Sequence, residues 1–149
     1  MKKRNWIKVI SVCLVLFSGS AFSIDNPDAP NYLGEFEITS GKYEVALSNS
    51  DSKNVDFISE YADYHAFLDK ELNKAYTLLK SALNEEEFKS LKASQRKWIA
   101  FRDSELQFIN ENWNRVNFGS SYNLSRNAYK AELVKARITQ LYQYAKNYN

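Results

Sequence analysis

"SQRKWIAFRDSE", residues Ser94–Glu105, decides how this chain is read. Wound as a helix, it places Gln95, Trp98 and Arg102 on one stripe, because steps of three and four residues return to the same side. Leu91 before it and Ile109 after it extend that stripe with apolar residues. A glutamine and an arginine therefore lie on the face that their neighbours mark as core. Burying polar groups is costly unless they find partners. Two readings follow: the pair meets polar groups on another helix, or this face binds something.

The same period continues outward on both sides. Tyr61, Tyr64, His65, Leu68, Leu72, Ala75, Tyr76, Leu79 and Leu83 recur at steps of three and four and predict a preceding helix. Asn84 with Glu85, Glu86 and Glu87 behind it reads as a capped helix start, with the carboxylates at the positive helix end. The helix that follows carries Phe88, Leu91, Trp98, Leu106, Ile109 and Trp113, and Gly119 closes the region. A further helix is expected from about Ser125 to Tyr148, with Leu124, Ala128, Ala131, Val134, Ile138, Leu141 and Ala145 on its stripe. The expected fold class is all-α: an antiparallel helical hairpin plus a third helix, a three-helix bundle over residues 55–149. In an antiparallel hairpin with so short a connection, Arg102 falls within a turn of Asp69, and Gln95 level with Asn73. Arg102–Asp69 and Gln95–Asn73 contacts are the expected structural answer to the opening stretch, with a ligand-binding face as the other.

The N-terminus reads differently. "MKKRN" is basic, "WIKVISVCLVLF" is a short apolar run, and "SGSAFS" supplies small residues before a cleavage site near Ser23. This is the pattern of a secretory signal peptide over residues 1–23, and the run is too short to span a bilayer. Periplasmic localisation is expected, with secretion or a retained N-terminal anchor as alternatives; membrane contact is otherwise transient, through the signal peptide. Cys13 lies inside the apolar run behind Val12, which disfavours a lipoprotein site. Removing Lys2, Lys3, Arg4 and Lys8 leaves sixteen basic against eighteen acidic residues, a net of −2. Residues 24–58 hold seven acidic and two basic residues, and residues 59–149 eleven acidic and fourteen basic. No dense basic patch suited to nucleic acid is present. Without Cys13 no cysteine is left for disulfides.

Residues 24–54 read as an acidic arm and linker. Both prolines lie in "IDNPDAPNYLG", and "SNSDSKN" (Ser48–Asn54) is a linker by composition. Between them, Phe36 and Ile38, then Tyr43, Val45 and Leu47, alternate with polar residues around Ser40-Gly41. That alternation fits a small β-hairpin over residues 35–47, and a flexible arm fits as well. On either reading a core is expected to form without any residue before Asp56.

"LDKELNKAY" (Leu68–Tyr76) and "LKASQRKWIAFRDSE" (Leu91–Glu105) together resemble the LprI-type lysozyme-inhibitor family, small exported bacterial helical domains. Asp69, Leu72, Asn73, Tyr76, Gln95, Trp98, Arg102 and Asp103 match its pattern. Arg137 matches the final arginine, with Val134 where a threonine is usual. The resemblance covers about residues 57–145. It implies a helical domain and lysozyme inhibition as the activity; the hairpin register reads these motif residues as structural. Members commonly carry cysteines, and Leu106 and Tyr129 stand at two such positions, so that apolar packing replaces a link between the second and third helices.

The residues offer no catalytic group with an activating neighbour, no metal-ligand spacing and no phosphate loop, so neither enzyme nor cofactor is expected. His65, the single histidine, lies on a helical stripe and reads as a packed residue paired with Asp69. Aromatics outside the stripes, Tyr32, Phe36, Tyr43, Phe118 and Tyr122, are the candidates for contact with a partner. The leading expectation is a non-enzymatic periplasmic binding protein whose partner is a lysozyme or another envelope protein. Its alternatives are a cell-envelope or secretion-system scaffold and a cell-wall glycan-binding adaptor.

Overall fold

The computed structural model describes residues 30–49 and 56–148. The expected signal peptide, the start of the arm and residues 50–54 of the linker lie outside the described residues. Five helices follow one another: α1 (Tyr32–Asn49), α2 (Asp56–Ala82), α3 (Glu85–Asn112), the short α4 (Arg115–Phe118) and α5 (Tyr122–Lys146), with a 3-10 turn at Gly119–Ser121 before α5. The all-α class holds. The three-helix count and the β-hairpin are corrected: residues 35–47 lie inside α1, a fourth long helix.

The reason is visible in α1 itself. Phe36, Ser40, Tyr43 and Leu47 recur at steps of four and three, and they form the helix's inner stripe, with Phe36 1% and Ser40 0% exposed. Ile38 and Val45, which completed the apparent alternation, point outward at 66% and 61% exposed. The serine in the stripe hid the helical period. Ser40 is no surface residue, since its Oγ lies 2.7 Å from the Tyr64 hydroxyl of α2. That hydroxyl donates to Glu44 Oε1 at 2.8 Å, and Lys135 Nζ of α5 reaches the same oxygen at 2.5 Å. One carboxylate thus ties three helices together. Asn31 caps the start of α1, its Oδ1 accepting from Gly34 N at 3.0 Å.

Aromatic rings close the α1–α2 seam. Tyr43 stacks on Tyr64 and Phe67 with centroids 5.3 and 5.0 Å apart, and Phe36 stacks on Phe67 at 6.0 Å. Phe36 also joins Leu68, Leu72, Leu79, Ile138, Leu141 and Tyr142 in one core cluster. The core therefore draws on residues before Asp56, against expectation. α2 packs most heavily on α5 and next on α1, while α3 leans on α5. Among the described residues no helix is long and apolar enough to cross a membrane.

α3 starts as its sequence predicts. Asn84 Oδ1 accepts from Glu87 N and Glu87 Oε2 accepts from Asn84 N, both at 3.0 Å, a reciprocal capping box. Its far end is held by Arg126 of α5, whose Nε donates to the Trp113 carbonyl at 2.6 Å and whose Nη2 donates to the Asn110 carbonyl at 2.5 Å. A cation on the last carbonyls of a helix suits both their lone pairs and the helix dipole. Tyr129 packs edge-on to Trp113 and donates to Glu105 Oε2 at 3.1 Å. This link between α3 and α5 is polar as well as apolar.

Candidate functional site

α2 and α3 run antiparallel from the two-residue connection Leu83–Asn84, with Tyr76 of α2 packed on Phe88 of α3. Between them lies an open cleft of about 350 Å³. Asp69, Leu72, Asn73 and Tyr76 form its α2 wall, and Lys92, Gln95, Arg96, Ile99 and Arg102 its α3 wall. Six of the nine motif residues thus face one space.

The register inferred from the short connection brings these residues to one cleft, but not into the contacts expected. Arg102 does not pair with Asp69; its Nε and Nη2 donate to Asp103 Oδ1 at 2.9 and 2.8 Å, one residue away on its own helix. The cleft separates Arg102 from the α2 wall, and the adjacent carboxylate is closer. Gln95 does not pair with Asn73 either. Asn73 Nδ2 donates to the Asp69 carbonyl one turn back, at 2.9 Å. Gln95 Oε1 accepts instead from Arg137 Nε of α5 at 2.9 Å. The missing partner came from the third helix.

Arg137 is the unusual group behind the cleft. It is 6% exposed, and its partners are uncharged: Gln95, Gln140 Oε1 at 2.5 Å from Nη1, and Ser94 Oγ at 3.4 Å from Nη2. Burial lowers its pKa from the ordinary arginine value. Its guanidinium carbon also lies 5.8 Å from the Trp98 ring centre, and that of Arg102 lies 5.4 Å away, so two guanidinium groups flank one indole. Because Gln95 uses its oxygen on Arg137, the part of its amide left for the cleft is the NH2, a donor. Lys92 and Arg96 add two exposed cations to the same wall. The α3 wall is therefore rich in donors and positive charge, whereas the α2 wall carries the Asp69 carboxylate and the Asn73 amide.

Trp98 is half-buried, Asp103 is exposed, and neither lines the cleft. Of the five loop and arm aromatics, three belong to the core seam: Phe36 is buried, and Tyr32 and Tyr43 pack half-buried against Tyr142 and Tyr64. They became core because the arm is a helix with an inner face. Phe118 is 39% exposed and stacks on Trp113 at 5.0 Å, and Tyr122 lies half-buried under Arg126. His65 meets Asn127 Oδ1 of α5 at 3.2 Å rather than Asp69. Burial, with Lys130 beside it, holds its pKa below the ordinary value despite the Asn127 contact and the Asp69 charge. Lys92, Arg96 and Ile99 were not singled out by sequence, although their steps of four and three from residue 92 put them on one stripe beside Gln95.

Residues 48–141 match the model of a family described as Lysozyme inhibitor LprI. That match spans more than half of the chain and includes the whole cleft. No curated protein and no solved structure matches it.

Proposed function

The chain belongs to the LprI lysozyme-inhibitor family, and on that premise we propose that it is an exported, non-enzymatic protein that binds a lysozyme and blocks its action on the cell wall. The observation that carries this reading is the convergence of Asp69, Leu72, Asn73, Tyr76, Gln95 and Arg102 on one open cleft. Residues kept only for packing would be expected to bury against each other. These leave a concave surface with polar groups from both walls, which is how binding sites are commonly built. Trp98, Asp103 and Arg137 act behind it, the first and last by holding the α3 wall on α5 and Asp103 by fixing the Arg102 guanidinium. Phe118 and Tyr122, near the far end of α3, are candidate peripheral contacts.

Two measurements test this. The purified mature protein, mixed with lysozymes of several classes in a turbidity assay on cell walls, should slow lysis by at least one of them; unchanged lysis throughout would reject the activity. Mass spectrometry of periplasmic extract should find a mature N-terminus close to Ile24, as the basic start, apolar run and small residues at Ala21 and Ser23 imply. An intact Met1 would reject cleavage and a free periplasmic protein.

A further inference from the structure

We infer that the inhibitor meets its lysozyme through the basic wall of the cleft, with Lys92 and Arg96 placed against the pair of carboxylates that cleaves the glycosidic bond. The inference rests on the lysozyme-inhibitor reading and adds to it the chemistry of contact. Lys92 and Arg96 are four residues apart on α3, both exposed, and neither has an ion-pair partner among the described residues. Side chains so spaced start about 5–6 Å apart at Cβ. Glycoside hydrolases set their two carboxyl groups about 5–5.5 Å apart in retaining enzymes and about 6.5–9.5 Å apart in inverting ones. Two long, flexible cationic side chains can span either separation. Opposite charges brought together and shielded from water attract more strongly than at the open surface, and an occupied carboxylate pair can neither protonate nor attack a glycan.

The neighbours fit the same ligand. Gln95, beside the two cations on the wall, offers its amide NH2 because Arg137 holds its oxygen. The buried charge of Arg137 stands behind it with no carboxylate against it among the described residues. Ile99, 38% exposed, continues the wall as an apolar contact one turn further on. Asp69 is the opposing group: it is exposed on the facing wall and would repel an incoming carboxylate. Arg102 contributes less, since Asp103 already neutralises it.

The test compares full-length mature native protein with Lys92→Glu/Arg96→Glu against a lysozyme that the native protein inhibits. The double variant should inhibit at least about tenfold more weakly while keeping its helical circular dichroism and melting temperature, because both positions are exposed. Asp69→Asn, which removes the repelling charge from the facing wall, should inhibit more strongly than native. Native inhibition should be competitive with a soluble glycan oligomer, and a lysozyme whose general-acid carboxylate is changed to the amide should bind several-fold more weakly. If the double variant loses its fold, Lys92→Ala/Arg96→Ala carries the same comparison. Undiminished inhibition by a folded double variant, or non-competitive inhibition, overturns this inference and leaves the proposed function standing. Failure of the native protein to inhibit any lysozyme overturns both.

Discussion

Arg137 Nε of α5 donates to Gln95 Oε1 of α3 at 2.9 Å, and both residues are more than nine-tenths buried. This contact fixes how α3 rests on α5 and which end of the Gln95 amide faces the cleft. A hydrogen bond to a charged group contributes more than a neutral one, and leaving the charge short of acceptors adds a desolvation penalty. Gln95→Leu should therefore lower stability by about 1–3 kcal/mol. Arg137→Met should also destabilise, and the double variant should cost less than the two together, with a coupling of about 1–2 kcal/mol. Urea unfolding of the four proteins measures this. Additive effects would mean that the contact contributes nothing in solution.

Gly41 lies in the middle of α1 at negative φ, and a Cβ added there would have no heavy atom within 4 Å. Glycine inside a helix is unfavourable relative to alanine because it loses more backbone freedom on folding. Gly41→Ala should raise stability by about 0.5–1 kcal/mol. If residues 35–47 instead turned back as a hairpin at Ser40-Gly41, the same change would be neutral or harmful. The thermal midpoint of this one variant therefore distinguishes helix from hairpin.

The bundle was legible where polar residues did not interrupt the stripes. Asn84 and its three glutamates gave the start of α3 correctly, and Leu68, Leu72, Ala75 and Leu79 gave the inner face of α2. α1 is hard to read because Ser40 and Gly41 look like a turn; a buried serine is acceptable there because its Oγ meets the Tyr64 hydroxyl of α2 and donates to Glu44 Oε1 one turn on. At the site, sequence spacing brought Asp69, Asn73, Gln95 and Arg102 to one cleft but assigned their partners wrongly. The register of α2 and α3 alone fixes which residues share the cleft, whereas Arg137, 42 residues beyond Gln95, lies on α5. Spacing along one helix says which residues share a face. It does not say which helix answers them.

Glu44 couples α1 to both neighbours, and its protonation should weaken the fold. Burial raises its pKa, but contacts from Lys135, Tyr64 and Ser40 outweigh this and bring it below the ordinary 4.5. The folded state thus favours the carboxylate over the acid. The resulting stability is present at neutral pH and is lost as pH falls through 4.5 and below. Because the carboxylate is partly exposed, solvent screening keeps the effect to about 1 kcal/mol or less. Glu44→Gln, which keeps a hydrogen-bond acceptor but cannot ionise, should show a smaller drop in melting temperature between pH 6 and pH 3 than native protein (a window of roughly three units around the ordinary carboxylate value). Equal drops would place the acid sensitivity elsewhere.

Phe36 tests whether α1 belongs to the bundle or only lies on it. Its ring is 1% exposed, stacks on Phe67, and lies 5.9 Å from the Tyr142 ring of α5. Tyr142 is itself anchored, since its hydroxyl donates to the buried Glu71 at 2.5 Å. Removing the Phe36 ring would open a cavity between three helices that cannot all close over it. Phe36→Ala should therefore cost about 3–5 kcal/mol. A chain beginning at Asp56 would lose Phe36, Tyr43 and the Glu44 carboxylate together. It would also expose Tyr64, Phe67 and Tyr142 to water, so it should melt at lower temperature and with poor cooperativity, or fail to fold. Ile38→Ser, on the outward face of the same helix, should change stability by no more than about 0.5 kcal/mol. Calorimetry on the three proteins decides the matter. A stable, cooperative chain from Asp56, with Phe36→Ala no worse than Ile38→Ser, would make α1 a detachable cover over a core formed by α2, α3 and α5.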